Sequence, residues 1–182
     1  MSISRLLRCA VASAATVAAL TIAPFAGAAN DVFLQVDGMQ GESTDREFRD
    51  AIVVTDFAFG LSNGAVTTGG SSGGRVNFDV LTLTKRVDRA SPKLFIAAAS
   101  GQAFPSATIS TRKSGGQQST FYRIKLSDVT VTSLKVQEGN ELVEHVSLGF
   151  GKIEIEYFMQ EPNGKVMSTG KVAWDVRRNT KG

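Results

Sequence analysis

The chain has 182 residues, one histidine, one cysteine and a formal net charge of +3. A chain of this length can bury a hydrophobic core of its own, so it does not depend on disulfides to fold. One cysteine excludes an intrachain disulfide, and one histidine excludes a two-histidine metal site within the chain.

The first 29 residues have the three zones of a secretory signal peptide. Two arginines come first, an apolar run follows over residues 9–23, and small residues allow cleavage after Ala28 or Ala29. The run is shorter than the roughly 20 residues that span a bilayer, which argues against the alternative of an uncleaved anchor. The sequence therefore predicts a signal peptide over 1–29, one domain over 30–182, and a secreted protein in the periplasm or outside the cell. No stable membrane insertion is expected.

Removal of this segment leaves a nearly neutral protein. Loss of Arg5 and Arg8 lowers the number of lysines and arginines from 20 to 18, against 17 aspartates and glutamates, so the net charge becomes +1. Cys9 is lost with them, and the mature chain has no thiol. Such a small charge gives no broad attraction to nucleic acid, so no nucleic-acid partner is expected.

Apolar residues alternate with polar ones along most of the mature chain, which predicts β-strands. The first strand covers residues 32–36 and ends at an Asp-Gly turn. Residues 39–50 are polar and predict a long surface loop, and residues 52–61 predict a second strand. Residues 62–74 are rich in glycine and serine and have the composition of a flexible connector.

The apolar positions change parity at three places, residues 80–81, 127–128 and 151–152. Side chains on a strand change face at every residue, so each shift predicts a β-bulge. Long strands that bend at bulges are typical of a sheet that closes into a barrel.

One helix is predicted after Ser91, which is a suitable N-cap, with Pro92 in the first turn and Gly101 at the end. The segment is apolar nearly all round, which predicts burial on most sides. Gly115-Gly116 and Asn163-Gly164 separate strand patterns and predict two hairpins.

No group of residues forms a convincing active site. His145 stands alone among polar neighbours, and residues 69–73 match Gly-x-Ser-x-Gly without the following helix that a nucleophile elbow needs. Glu154 and Glu156 alternate with apolar residues, so they lie on a solvated face, where Arg123 and Lys125 can pair with them. The residues thus predict a non-enzymatic, cofactor-free, mainly β protein, either a barrel or a sandwich.

Several segments, taken in order, resemble the Hcp (haemolysin-coregulated protein) family of type VI secretion systems. The resemblance covers about residues 31–177. The segments that carry it are 31–38, 41–43, 76–78, 84–88, 90–95, 99–101, 107–116, 122–129, 146–157 and 174–175.

This resemblance implies a single β-barrel of two sheets flanked by one short α-helix. It also implies hexameric rings that stack into a hollow tube, which a contracting sheath propels and which can carry effectors. Secretion effectors and other secretion-system components are then the partners, together with further copies of the chain.

A ring is built from heterologous contacts between identical subunits. The 39–50 loop is our candidate for such a contact, through Gly41, Glu42, Ser43 and the apolar Phe48. The alternative is that Phe48 folds back onto its own barrel.

The signal peptide departs from the family pattern, because tube proteins of this family assemble in the cytoplasm. A second hypothesis is therefore a stand-alone exported Hcp-like barrel that acts as a binding module. A secreted hydrolase is a third, and the lack of a convincing catalytic triad argues against it.

Overall fold

The structure, a computed structural model, describes residues 30–64, 75–115 and 118–182. The predicted signal peptide and the Gly-x-Ser-x-Gly match at residues 69–73 lie outside these ranges. Within the described ranges, no helix has both the length and the apolar character needed to cross a membrane.

The described residues form strands and one α-helix, α1, and the protein is mainly β as predicted. The elements are β1 (Asn30–Val36), β2 (Ile52–Val54), β3 (Asp56–Ala58), β4 (Leu61–Asn63), β5 (Val76–Phe78), β6 (Leu81–Arg86), α1 (Ser91–Ser100), β7 (Ala103–Lys113), β8 (Thr120–Glu138), β9 (Leu142–Gly149), β10 (Lys152–Gln160), β11 (Val166–Asp175) and β12 (Thr180–Lys181).

Six strands close a barrel, with β2 and β3 acting together as one of them. All neighbouring strands are antiparallel, in the cyclic order β1, β7, β8, β9, β6, β2–β3. The amide of Thr55, between β2 and β3, donates to the Thr84 carbonyl at 2.8 Å and extends the pairing of this strand with β6. Of the two architectures that the residue pattern allows, the barrel is the one observed.

The barrel interior is a single apolar core. Its members come from every barrel strand and from α1, whose Leu94 and Ala97 are buried. The largest fully buried apolar side chains are Leu34, Ile52, Leu81, Leu94, Ile109, Ile124, Leu126, Val129, Val146 and Leu148. Burial of this apolar surface is the main favourable term in folding.

A second sheet region extends from the barrel along β8. The first half of β8 pairs with β10, and its second half pairs with β9, on the same side. β11 pairs with β10, and the short β12 pairs with the end of β11. β4 and β5 form a separate two-stranded ribbon.

The predicted change of face within β8 occurs, but the predicted bulge at residues 127–128 is wrong. Burial moves from Ile124 and Leu126 to Val129 and Val131, while the register with β7 continues unbroken across this stretch. Asp128 instead takes a left-handed backbone with φ 54°. The register shifts of β8 lie near its start, beside Arg112 of β7, and within its second half, between Val131 and Ser133.

The helix begins and ends where the sequence predicts, and Gly101 ends it with φ 66°. Two details differ. The N-cap is Ala90, whose side chain cannot accept a hydrogen bond, while Ser91 is the first helical residue and its hydroxyl donates to Glu144. The helix is also not buried on most sides, because Phe95 and Ile96 are 61% and 58% exposed. Phe95 and Ile96 are called the helix face below.

Both predicted hairpins are confirmed. Gly115 lies between β7 and β8 with φ 82°, and Gly164 lies between β10 and β11 with φ 85°. These backbone angles favour glycine, because it has no Cβ.

Candidate functional site

The 39–50 loop is held against the barrel by an aromatic stack. Phe48 is only 4% exposed and stacks on Phe33 of β1, with 4.5 Å between ring centroids. The guanidinium of Arg112 lies over both rings, at 5.1 Å from the centroid of Phe33 and 5.7 Å from that of Phe48. Within the subunit, Phe48 therefore packs onto its own barrel, and a substitution there acts first on the subunit's own stability.

Arg112 also forms ion pairs that hold the same loop. Its Nη2 donates to Asp45 Oδ2 at 2.6 Å and to Asp31 Oδ2 at 3.3 Å. The Asp45 carboxylate in turn accepts the backbone amides of Glu47 and Phe48. The Arg112 guanidinium, together with these two amides, lowers the pKa of Asp45 below its ordinary value.

Asp45→Asn is expected to make the protein less stable at pH 7, and its free energy of unfolding should fall less than that of the wild-type protein as the pH is lowered. The folded pKa of Asp45 lies below the unfolded value near 3.8, so its contribution is present above about pH 4 and lost as the pH falls further. Urea denaturation of both proteins from pH 7 to pH 2 measures this. A stability difference that stays constant over the whole range would contradict it.

The beginning of the loop packs closely on the start of β2. A Cβ added to Gly41 would lie 2.4 Å from the carbonyl oxygen of Ala51, so only glycine fits there without movement of the backbone. The Ser43 amide donates to the same Ala51 carbonyl at 3.0 Å. Arg89 donates to the Gly41 carbonyl at 2.5 Å and pairs with Asp50 at 2.9 Å.

The loop residues selected from the sequence therefore differ in accessibility. Gly41, Ser43 and Phe48 are buried, whereas Glu42 is exposed and accepts the Arg89 amide. A role for this loop in subunit contact remains a prediction. If it is correct, Glu42 is the member of the set that can reach a neighbouring subunit directly, and the others hold the loop in place.

A buried ion cluster joins the barrel to the helix. Lys85 of β6 is fully buried, and its Nζ lies 2.6 Å from Glu144 Oε2, 2.8 Å from Asp88 Oδ1 and 3.2 Å from Ser91 Oγ. The Ser91 hydroxyl also donates to Glu144 at 2.8 Å. Each donor of the lysine has a partner, which a buried charge requires.

Sequence reasoning missed this cluster, although a signal was present. Lys85 is two and four residues from the buried Leu83 and Leu81, so its side chain points to the same face of the strand. Glu144 has the same relation to the buried Val146 and Leu148. A charge at a core position of an alternating strand needs a partner of opposite sign. The two residues are 59 positions apart, so the pattern alone does not pair them.

The candidate catalytic residues differ in exposure, because His145 is exposed whereas Glu154 and Glu156 are partly buried. His145 Nδ1 is 3.1 Å from Thr84 Oγ1 on the outside of the barrel. Glu156 pairs with Arg123 as predicted, at 3.6 Å, whereas Glu154 pairs with Lys171 at 2.9 Å and not with Lys125. Within the described ranges, no three His, Cys, Asp or Glu residues are grouped as a metal site.

An apolar surface lies on one side of the β10–β11 hairpin. Tyr157, Met159, Met167 and Val172 are 50%, 50%, 40% and 59% exposed and are called the hairpin face below. Ile155, Tyr157 and Met159 are at alternate positions of β10 and therefore share a side. Val172 is opposite Ile155 and Met167 is opposite Met159, on either side of a register shift between Tyr157 and Phe158, so both lie on this side too. Large exposed apolar surfaces are typical of association sites.

The edge of the sheet beside this face is open. β12 pairs only with Trp174 and Asp175, so among the described residues the outer edge of β11 over 166–172 has no strand partner. Unpaired strand edges readily pair with another chain.

These features define a structural β-barrel protein, with ion clusters that stabilise the fold and apolar surfaces suited to association. Comparison with known proteins identifies its family: residues 33–157 match the family described as "Type VI secretion system effector, Hcp". The chain belongs to the Hcp family, which is structural and secreted and is not a family of enzymes.

Individual relatives agree with this assignment. The chain is 34% identical to protein hcp1 of Pseudomonas aeruginosa over 156 residues. The aligned region covers 82% of this chain and 96% of that protein. A solved type six secretion system protein has a TM-score of 0.76 at 30% identity, over 84% of this chain and 99% of that one. Hcp1 from Salmonella typhimurium has a TM-score of 0.71 at 26% identity, over 85% and 99% of the two chains.

Proposed function

We propose that the chain is the subunit of hexameric rings, and that these rings stack into a hollow tube of a type VI secretion system that can carry effectors. Membership of the Hcp family supports this proposal. The observation that carries it is the hairpin face, an exposed apolar surface beside an open strand edge.

A closed ring needs two different surfaces on each subunit that fit each other. The hairpin face and the helix face are two exposed apolar surfaces on separate elements. In a ring, the hairpin face of one subunit would be covered by a different surface of the next, and the helix face is a suitable candidate. Specific interfaces bury about 1,200–2,000 Å² in total, so neighbouring polar residues would contribute too.

The native mass and negative-stain images of purified residues 30–182 test the proposal. All of the described fold lies within this range. Rings of about six subunits would support the tube function. A monomer over a wide concentration range would contradict it and favour the second candidate, a stand-alone exported binding module.

Val172→Lys is expected to lower the fraction of protein in rings by tenfold or more, since it would place a charge in a contact that excludes water. The folded subunit should be unchanged, because Val172 is 59% exposed. The matched control is Val136→Lys, at a 54% exposed valine in the second half of β8. Equal ring fractions for the two variants in native mass measurements would remove the hairpin face from the interface.

The second candidate function rests on the N-terminal segment. We propose that residues 1–29 are a signal peptide and that the protein reaches the periplasm or the cell exterior through the general export route. The protein recovered from the periplasm is then expected to have an intact mass that corresponds to a chain beginning at Ala29 or Asn30. A full-length mass in the cytoplasmic fraction alone would contradict export by this route.

A further inference from the structure

Two methionines lie together on the hairpin face. Met159 of β10 and Met167 of β11 are directly opposite each other and are 50% and 40% exposed. The sequence has four methionines: of the other two, Met39 is 7% exposed and Met1 is in the segment proposed to be cleaved. Met159 and Met167 are therefore the accessible sulfur atoms among the described residues.

No thiol competes with this pair in the mature chain. The single cysteine is Cys9, so residues 30–182 contain no thiol, and oxidants that prefer sulfur meet these two thioethers first.

The surroundings of the pair are apolar. Tyr157 and Val172 lie on the same face. Glu154 and Glu156, which form ion pairs with Lys171 and Arg123, alternate with these residues along β10 and so point to the opposite face. Oxidation converts a flexible apolar thioether into a polar sulfoxide, which disrupts methionine-rich interfaces. A sulfoxide on this face would have to lose water of hydration when the face is covered.

We propose that Met159 and Met167 form an oxidation-sensitive site that controls self-association. One molecule of hydrogen peroxide transfers one oxygen atom to each thioether sulfur, which becomes a sulfoxide, and the peroxide leaves as one water. The oxidised subunit stays folded, because both side chains are half-exposed, but it no longer joins the ring. This inference rests on the proposed function, since it takes the hairpin face to be a subunit contact.

The test uses the purified protein, its Met159→Leu/Met167→Leu variant and hydrogen peroxide. Both are oxidised while dilute, freed of peroxide, concentrated and examined by intact mass and native mass. The wild-type protein is expected to gain about 32 Da, one oxygen at each sulfur. Peptide mapping should place both oxygens at Met159 and Met167, and rings should fall at least tenfold. The leucine variant keeps the apolar surface without the sulfur, so its rings should survive the same treatment.

Methionine sulfoxide reductases reverse this chemistry, so treatment with both epimer-specific enzymes should restore the rings. Rings that persist in protein oxidised at both sulfurs would overturn the inference and leave the assembly proposal intact. Failure of peroxide to oxidise the pair in dilute protein would overturn it as well. A monomer before oxidation would instead overturn the assembly proposal, and this inference with it.

Discussion

Lys85→Met is expected to lower the free energy of unfolding by about 3–5 kcal/mol, the usual effect of breaking a buried ion pair from one side. The substitution would leave the Glu144 carboxylate buried with only the Ser91 hydroxyl donating to it. It would also remove the link from β6 to Asp88, just before the helix. Urea denaturation at pH 7 measures the loss.

A neighbouring residue provides the matched control. Arg86 follows Lys85 on the same strand and pairs with Glu141 at 2.6 Å, but its side chain is 67% exposed. Arg86→Met is therefore expected to cost only about 0–1 kcal/mol, as for other surface ion pairs. Similar losses for Lys85→Met and Arg86→Met would contradict the assignment of a structural role to the buried cluster.

The double variant Lys85→Met/Glu144→Leu separates two contributions to the loss. If the single substitution is costly because it leaves an unpaired buried charge, removal of both charges should recover much of the stability. If instead the cluster holds the helix in place, the double variant should remain as unstable as the single one.

Phe48→Ala is expected to destabilise the subunit by about 3–5 kcal/mol, as for other buried phenylalanines. It would remove the ring that stacks on Phe33 and would expose the Arg112 guanidinium on one side. The 39–50 loop would then be attached mainly through Asp45 and Arg89, so it should exchange its amide hydrogens faster. Denaturation and hydrogen exchange measure the two effects.

Phe95→Ala is the matched control, because Phe95 is 61% exposed on the helix. It should leave the unfolding free energy nearly unchanged and should reduce the ring fraction if the helix face is a subunit contact. Loss of rings for Phe95→Ala with normal stability, and loss of stability for Phe48→Ala, would assign the two phenylalanines to assembly and folding respectively. Loss of rings with normal stability for Phe48→Ala, and loss of stability for Phe95→Ala, would instead place the 39–50 loop in the subunit contact.

The two arginines give the 39–50 loop a defined shape. Arg112 holds Asp45 near the middle of the loop, and Arg89 holds Gly41 and Asp50 at its two ends. A loop fixed in this way can present Glu42 to a partner with little loss of conformational entropy on binding. This is why the loop remains a reasonable contact even though Phe48 faces inward.

Local features of the structure could be predicted from the sequence alone. Period-two alternation places the strands, because successive side chains on a strand face opposite sides. Glycine at Gly115, Gly164 and Gly101 marks two hairpins and a helix end, because these positions need a left-handed backbone. The ordered segments also resemble the Hcp family closely enough to predict a barrel with a single helix.

Only the tertiary structure decided which distant residues meet. The Lys85–Glu144 pair spans 59 positions and the Arg112–Asp45 pair spans 67, and both form because β6 lies beside β9 and the loop folds over β7. The sequence predicts more burial of the helix than is observed, because an apolar composition does not tell which sides have neighbours. Among the described residues, none covers Phe95 and Ile96 enough to bury them. Periodicity reports which way a side chain points, whereas burial and pairing depend on what the rest of the chain places opposite it.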